Sequence, residues 1–228
     1  MRTVFLSAVV ASAIGVLAGC NGSPDEAAVA TAVSVEDVVS RPLSADRALA
    51  AASVVASLPE QHRPQFDPAM SETSLEGRRG QGLADSYRRQ FRAAINLPEQ
   101  AERWRASGPL SQACAEAGLS TGELALLLMQ IGCAHHAGEV GTRLDLGDIR
   151  ARTKTEIASL CDRFDAAPDL LAKRSIAASL RSSVALDTYL TLLDSVPRSS
   201  REVVAANRER LSAVLPRRTA MEIVPARM

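Results

Sequence analysis

Aromatic residues are scarce in this chain: tryptophan, tyrosine and phenylalanine together make up 3% of its 228 residues. That is thin material for a surface that stacks nucleobases or sugar rings. Lysine is scarcer, with Lys154 and Lys173 the only two, and 26 basic side chains are balanced by 26 acidic ones. A neutral chain sets up no overall field for nucleic acid or for an anionic membrane surface, so no nucleic-acid partner is expected. The arginine-for-lysine bias, together with abundant alanine, is what a GC-rich coding sequence produces. Strand signals are missing too. No alternating β-branched run of useful length occurs, and Asn-Gly appears only at Asn21-Gly22, so nothing marks a hairpin. The nucleotide-binding patterns G-x-x-x-x-G-K-[ST] and G-x-G-x-x-G are absent as well.

What is present begins at the amino end. Arg2 supplies a positive start, residues 3–18 carry no charge and are mostly apolar, and Leu17-Ala18-Gly19 leads directly into Cys20. The stretch contains Ser7, Ser12 and Gly15 and is short and weakly apolar for a membrane span, which needs roughly twenty residues. A basic start, an apolar middle and a small-residue end is the order of a secretory signal. An ordinary signal needs no cysteine at its end. With one, the segment resembles the signal peptide of bacterial lipoproteins.

That resemblance implies cleavage before Cys20 once its sulfur carries diacylglycerol, then acylation of the new amino group. Cysteine is required because its thiolate is the nucleophile that makes a stable thioether, and small neighbours give a peptidase access to the backbone. A single acyl chain holds a protein only marginally, at about 0.8 kcal/mol per buried methylene, whereas two or more hold it stably. Membrane lipid, engaged through acylated Cys20, is thus the first expected partner. Residue 21 is asparagine rather than the aspartate that retains enterobacterial lipoproteins at the inner membrane, which favours the outer membrane.

The remainder reads as helices. Residues 20–43 have the small, acidic and proline-containing composition of a lipidated start and flexible tether. A helical domain is expected over 44–216 and a loose tail over 217–228. Ser44 opens a helix to 57, and the three prolines of 58–70 forbid a helix there. Leu83, Tyr87, Phe91 and Ile95 recur at fourfold spacing, and Pro98 opens a short helix containing Trp104. Ser120-Thr121-Gly122-Glu123 has capping-box spacing for a helix to His136 whose body, LALLLMQIG, is apolar on every face. Ile149, Thr153, Ile157, Leu160 and Phe164 form one stripe of the next helix. A long helix follows Pro168 to Ser195, and Ser199 with Glu202 offers a second capping box for a helix ending at Pro216. The expected fold is all-α: an irregular bundle of about six or seven helices around 121–136, carrying a single domain that buries roughly 70% of its unfolded surface.

Chemistry-bearing residues are few. Cys114, Cys133 and Cys161 sit in helical, apolar surroundings, and two readings stand: three buried thiols, or one bridge with a thiol left over. The sharpest cluster is Cys133-Ala134-His135-His136 with Glu139. On a helix Cys133 and His136 share one face, and His135 and Glu139 share another. Thiolate and imidazole at Cys133 and His136 are zinc or copper ligands, but a stable site needs three or four, and the rest would have to come from Cys114, Cys161 or His62. Histidines near a helix end also interact well with its dipole, which needs no metal. The GRRGQG run at 77–82 reads as a mobile arginine-glycine loop. Asp145 and Asp148 read as caps, Asp162 and Asp165 as solvated acids. The expectation is therefore a non-catalytic, lipid-anchored helical domain of the cell envelope that binds or scaffolds other components, with no catalytic residue, cofactor or metal. The alternative is a periplasmic metal-binding or redox-responsive protein using Cys133 and His136.

Overall fold

The computed structural model describes residues 35–66, 73–94, 97–141 and 145–215. The leader, Cys20, most of the expected tether and the 217–228 tail lie outside the described residues. Every regular element described is helical: α1 Val35–Val39, α2 Ala45–Ser57, α3 Gly80–Ala94, α4 Leu97–Arg105, α5 Gly108–Glu116, α6 Thr121–Gly141, α7 Leu146–Ala166, α8 Leu170–Ser195 and α9 Arg198–Ala206, with a 3-10 turn at Glu60–His62. The all-α class stands.

The central helix starts where its capping box puts it. Ser120 Oγ accepts the Glu123 N–H at 3.1 Å while the Glu123 carboxylate accepts the Ser120 N–H at 2.9 Å, so two orphan amides are satisfied together. Just upstream, α5 ends in Gly118 at φ 64°. The Leu119 N–H reaches back to the Cys114 carbonyl at 2.9 Å and the Gly118 N–H to the Ala115 carbonyl at 3.0 Å, the pairing of a Schellman cap, which favours glycine at the left-handed position. Helix α6 then runs past the expected end at His136 to Gly141. A glycine inside a helix costs only about 1 kcal/mol, and the packing of α6 against α9 outweighs it. Helices α1, α2, α4, α5, α8 and α9 all pack on α6, as its all-round apolarity requires, and Leu124, Ile131 and Cys133 are fully buried.

Burial pushes the Glu123 carboxyl up, but the Ser120 N–H and hydroxyl and the charge and hydrogen bond of Arg47 on α2 outweigh it, leaving the group below its ordinary value. A depressed carboxyl stabilises the fold above its unfolded pKa of about 4.3, and that contribution is lost as pH falls through the folded value. Replacing Glu123 by alanine should cost about 1 kcal/mol near neutral pH, and the loss should shrink at acid pH. Urea unfolding of the two proteins at pH 7 and pH 3 checks both.

Two apolar cores share one helix. Leu83, Ala84, Tyr87 and Phe91 of α3 meet Ile157, Leu160 and Phe164 of α7 and Leu180 and Val184 of α8. The second core surrounds α6 and takes Tyr189, Leu192 and Leu193 from the other end of α8. At roughly 1.5 Å rise per residue, α8 is about 39 Å long, enough to run through both. The α3–α7 contact is unusually close: a Cβ built on Gly80 would lie 2.4 Å from the Cys161 carbonyl oxygen. The Gly80 N–H is capped by Asp165 Oδ1 at 2.8 Å. The GRRGQG run is therefore no loose loop, since its second half is the start of α3, and Asp165 is a tertiary cap rather than a merely solvated acid.

Three further boundaries differ from expectation. The helical body begins at Val35, not 44: Val35, Val38 and Val39 are buried and Leu43 follows them, so the end of the expected tether belongs to the core. Helix α5 lacks an apolar period strong enough to announce itself. At α9 the second capping box does not form. Pro197 takes the cap position and its carbonyl receives the Ser200 and Arg201 N–H groups, so Ser199 already lies inside the helix and Glu202 pairs with Arg198 at 2.7 Å. Ser200 Oγ instead accepts the Leu43 N–H at 3.0 Å, tying α9 to the segment after α1. Helix α9 ends at Ala206, and a run of turns carries the chain on to buried Leu211.

Candidate functional site

Helix α6 divides its unusual residues between two faces, one buried in the core and one open. On the buried face, Cys133 is fully enclosed, and burial pushes its thiol up to about 12. Its sulfur lies 3.8 Å from Met129 Sδ. His136 is 1% exposed, and its Nδ1 is hydrogen-bonded to the Tyr189 hydroxyl of α8, with the rings edge-to-face and centroids 6.0 Å apart. Burial, reinforced by Cys133 nearby, drives the Tyr189 hydroxyl well above its ordinary value, so the phenol stays neutral. A metal needs thiolate and a free imidazole nitrogen. Here burial holds the thiol protonated at neutral pH.

The third and fourth ligands are not supplied either. Cys114 lies in the core around α6 and Cys161 in the α3–α7–α8 core. Both are free and buried, as is Cys133, which answers the open question of a bridge with three thiols. His62 belongs to the turn after α2. Among the described residues no group of three or more His, Cys, Asp or Glu side chains is placed to hold a metal ion.

The other face is open. A cleft of about 490 Å³ lies between the second half of α6 and α9, with His135, Glu139, Arg198, Arg201, Glu202 and Arg208 among its lining side chains. Ala134, Ala137, Val204 and Ala205 supply an apolar wall. The expected sharing of one face by His135 and Glu139 holds. Burial lowers the His135 pKa and Arg208 lowers it further, against the raising effect of Glu139, so the imidazole stays neutral near pH 7. Arg208 pairs with Glu139 at 2.9 Å and Arg198 with Glu202 at 2.7 Å. Arg201 has no carboxylate partner among the described residues, and its Nε is buried without a hydrogen-bond acceptor. The described lining residues thus set three guanidinium groups against two carboxylates.

No family model matches the chain, and no curated protein or solved structure matches it.

Sequence reasoning passed over this cleft because its arginines recur along α9 and the turn after it with no motif to mark them. It also passed over a literal match. Gly118-Leu119-Ser120-Thr121-Gly122 spells G-x-S-x-G, the spacing of a nucleophile elbow. An elbow places its serine on a tight strand-to-helix turn. Here the turn joins two helices, Gly118 serves the Schellman cap of α5, and Ser120 Oγ caps α6 while its hydroxyl donates to Glu123 Oε2 at 3.2 Å. The first glycine and the serine of the pattern both have capping roles.

Proposed function

We propose that this chain is a lipid-anchored protein of the bacterial cell envelope, with the helical body over 35–215 acting as a non-catalytic interaction domain. The observation that carries the reading is the run Leu17-Ala18-Gly19-Cys20 after an uncharged leader. No single described helix is long and apolar enough to cross a membrane. In this reading the attachment comes from acyl chains on Cys20. Residues 21–34 can span at most about 50 Å when fully extended, and that bounds how far the body works from the bilayer. The absence of aspartate at position 21 favours the outer membrane, facing the periplasm.

The interaction reading rests on how the body spends its polar residues. Cys133, His136 and Tyr189 are used inside the core, and Ser120 and Glu123 are used in a cap. Among the described residues, polar side chains from α6, α9 and the turn after it converge on open space at the α6–α9 cleft. Mass spectrometry of the protein from membranes should find a diacylglyceryl-modified cysteine as residue one, and Cys20→Ser should leave the membrane fraction. An intact leader, an unmodified amino end, or membrane retention of the serine variant overturns the anchor. Proximity labelling from the acylated protein in intact cells would then name the components it meets.

A further inference from the structure

The geometry points to the α6–α9 cleft as a binding site for a small organic monocarboxylate, with the carboxylate on Arg201 and the carbon skeleton against Ala134, Ala137, Val204 and Ala205. This goes beyond the envelope reading and does not depend on acylation of Cys20. At about 490 Å³ the cleft falls within the 300–1,000 Å³ typical of small-molecule sites. Such sites combine an apolar wall with a few convergent polar groups, which is the lining described above.

Charge selects the ligand class. Arg208 and Arg198 are already met by Glu139 and Glu202. Arg201 alone has no counter-ion among the described residues, and its buried Nε lacks an acceptor. A guanidinium presents paired N–H groups that fit a carboxylate in two parallel hydrogen bonds. One carboxylate on the outer guanidinium nitrogens of Arg201 therefore neutralises the single surplus charge among the described lining residues. A dianion such as a phosphate would bring a second negative charge up to Glu139 and Glu202 without a second free cation, and a cation would meet Arg201 directly. Ala134, Ala137, Gly138 and Gly141 leave the room. At Gly141 the Arg201 guanidinium comes within 3.9 Å of where a Cβ would stand, so the lack of a side chain there keeps its approach open.

The test is calorimetric titration of the full-length protein in a neutral maltoside detergent with benzoate, inorganic phosphate and benzylamine. Benzoate should bind saturably at one site per chain, tighter than either of the others. Arg201→Gln should weaken benzoate at least tenfold, about 1.4 kcal/mol, whereas Arg152→Gln on the exposed face of α7 should leave it unchanged. Should Arg201→Gln unfold, Ala205→Glu decides the question: Ala205 is exposed, so the new carboxylate enters the cleft without disturbing the core and should abolish benzoate binding at an unchanged melting temperature. Absence of saturable benzoate binding, equal binding by the Arg201 or Ala205 variant, or tighter binding of phosphate each overturns the proposal.

Discussion

Gly80→Ala should destabilise the protein by about 3 kcal/mol, while Gly82→Ala, two residues further along the same helix, should stabilise it by roughly 0.5–1 kcal/mol. The added Cβ at position 80 would sit 2.4 Å from the Cys161 carbonyl oxygen and 2.5 Å from its Cα. Both are backbone atoms of α7, so no rotamer change relieves the clash and the two helices must part. Overpacking of this kind costs about 1–3 kcal/mol. Parting the helices also strains the charge-assisted bond from the Gly80 N–H to Asp165, worth about 1.5–3 kcal/mol, and loosens Leu83, Tyr87 and Phe91 on Ile157, Leu160 and Phe164. Alanine's better helix propensity returns at most about 1 kcal/mol. At Gly82 the propensity gain stands alone, because nothing lies within 4 Å of the new methyl. Urea unfolding followed by circular dichroism gives both values, and equal shifts for the two variants would show that the close approach carries no energy.

The contrast between those glycines shows what was legible in the sequence. Several features written within four residues of one another are legible: the Ser120–Glu123 box, the cap at Asp145 on Gly147 and Asp148, and the Ile157–Leu160–Phe164 part of the α7 stripe. Features that depend on a distant partner are not. Nothing near Gly80 announces Cys161, which approaches from α7, and nothing near Ser200 announces Leu43. Helix α1 reads as spacer in the sequence because five residues are too few to show a period, and it is held by α6 and α8 rather than by its own propensity. The Ser199–Glu202 pattern has the right letters, but Pro197 captures the cap position first. For the candidate site, periodicity alone separated His135 and Glu139 from Cys133 and His136. It could not say which face was open, because that depends on where α9 comes to rest. The core beneath that open face makes the second large prediction.

Tyr189→Phe should cost about 2 kcal/mol, whereas Tyr87→Phe, at another buried tyrosine, should cost less than about 0.5. Removing one partner of a buried hydrogen bond leaves the other to bear its desolvation, about 1–3 kcal/mol. At position 189 the lost hydroxyl is the partner of His136 Nδ1, and His136 is 1% exposed; water cannot readily replace it among Met129, Cys133 and Leu193. The Tyr87 hydroxyl makes no hydrogen bond to a described residue, so its removal strips little but a polar atom from the α3–α7 core. A double-mutant cycle with His136→Leu isolates the pair. The coupling should be on the order of 1–2 kcal/mol, and the double variant should be more stable than the sum of the single losses implies, because an apolar pair leaves no nitrogen to satisfy. A coupling near zero would mean that the imidazole draws nothing from the tyrosine. The polar cluster would then be a tolerated burden of the core rather than the contact that fixes α8 against α6.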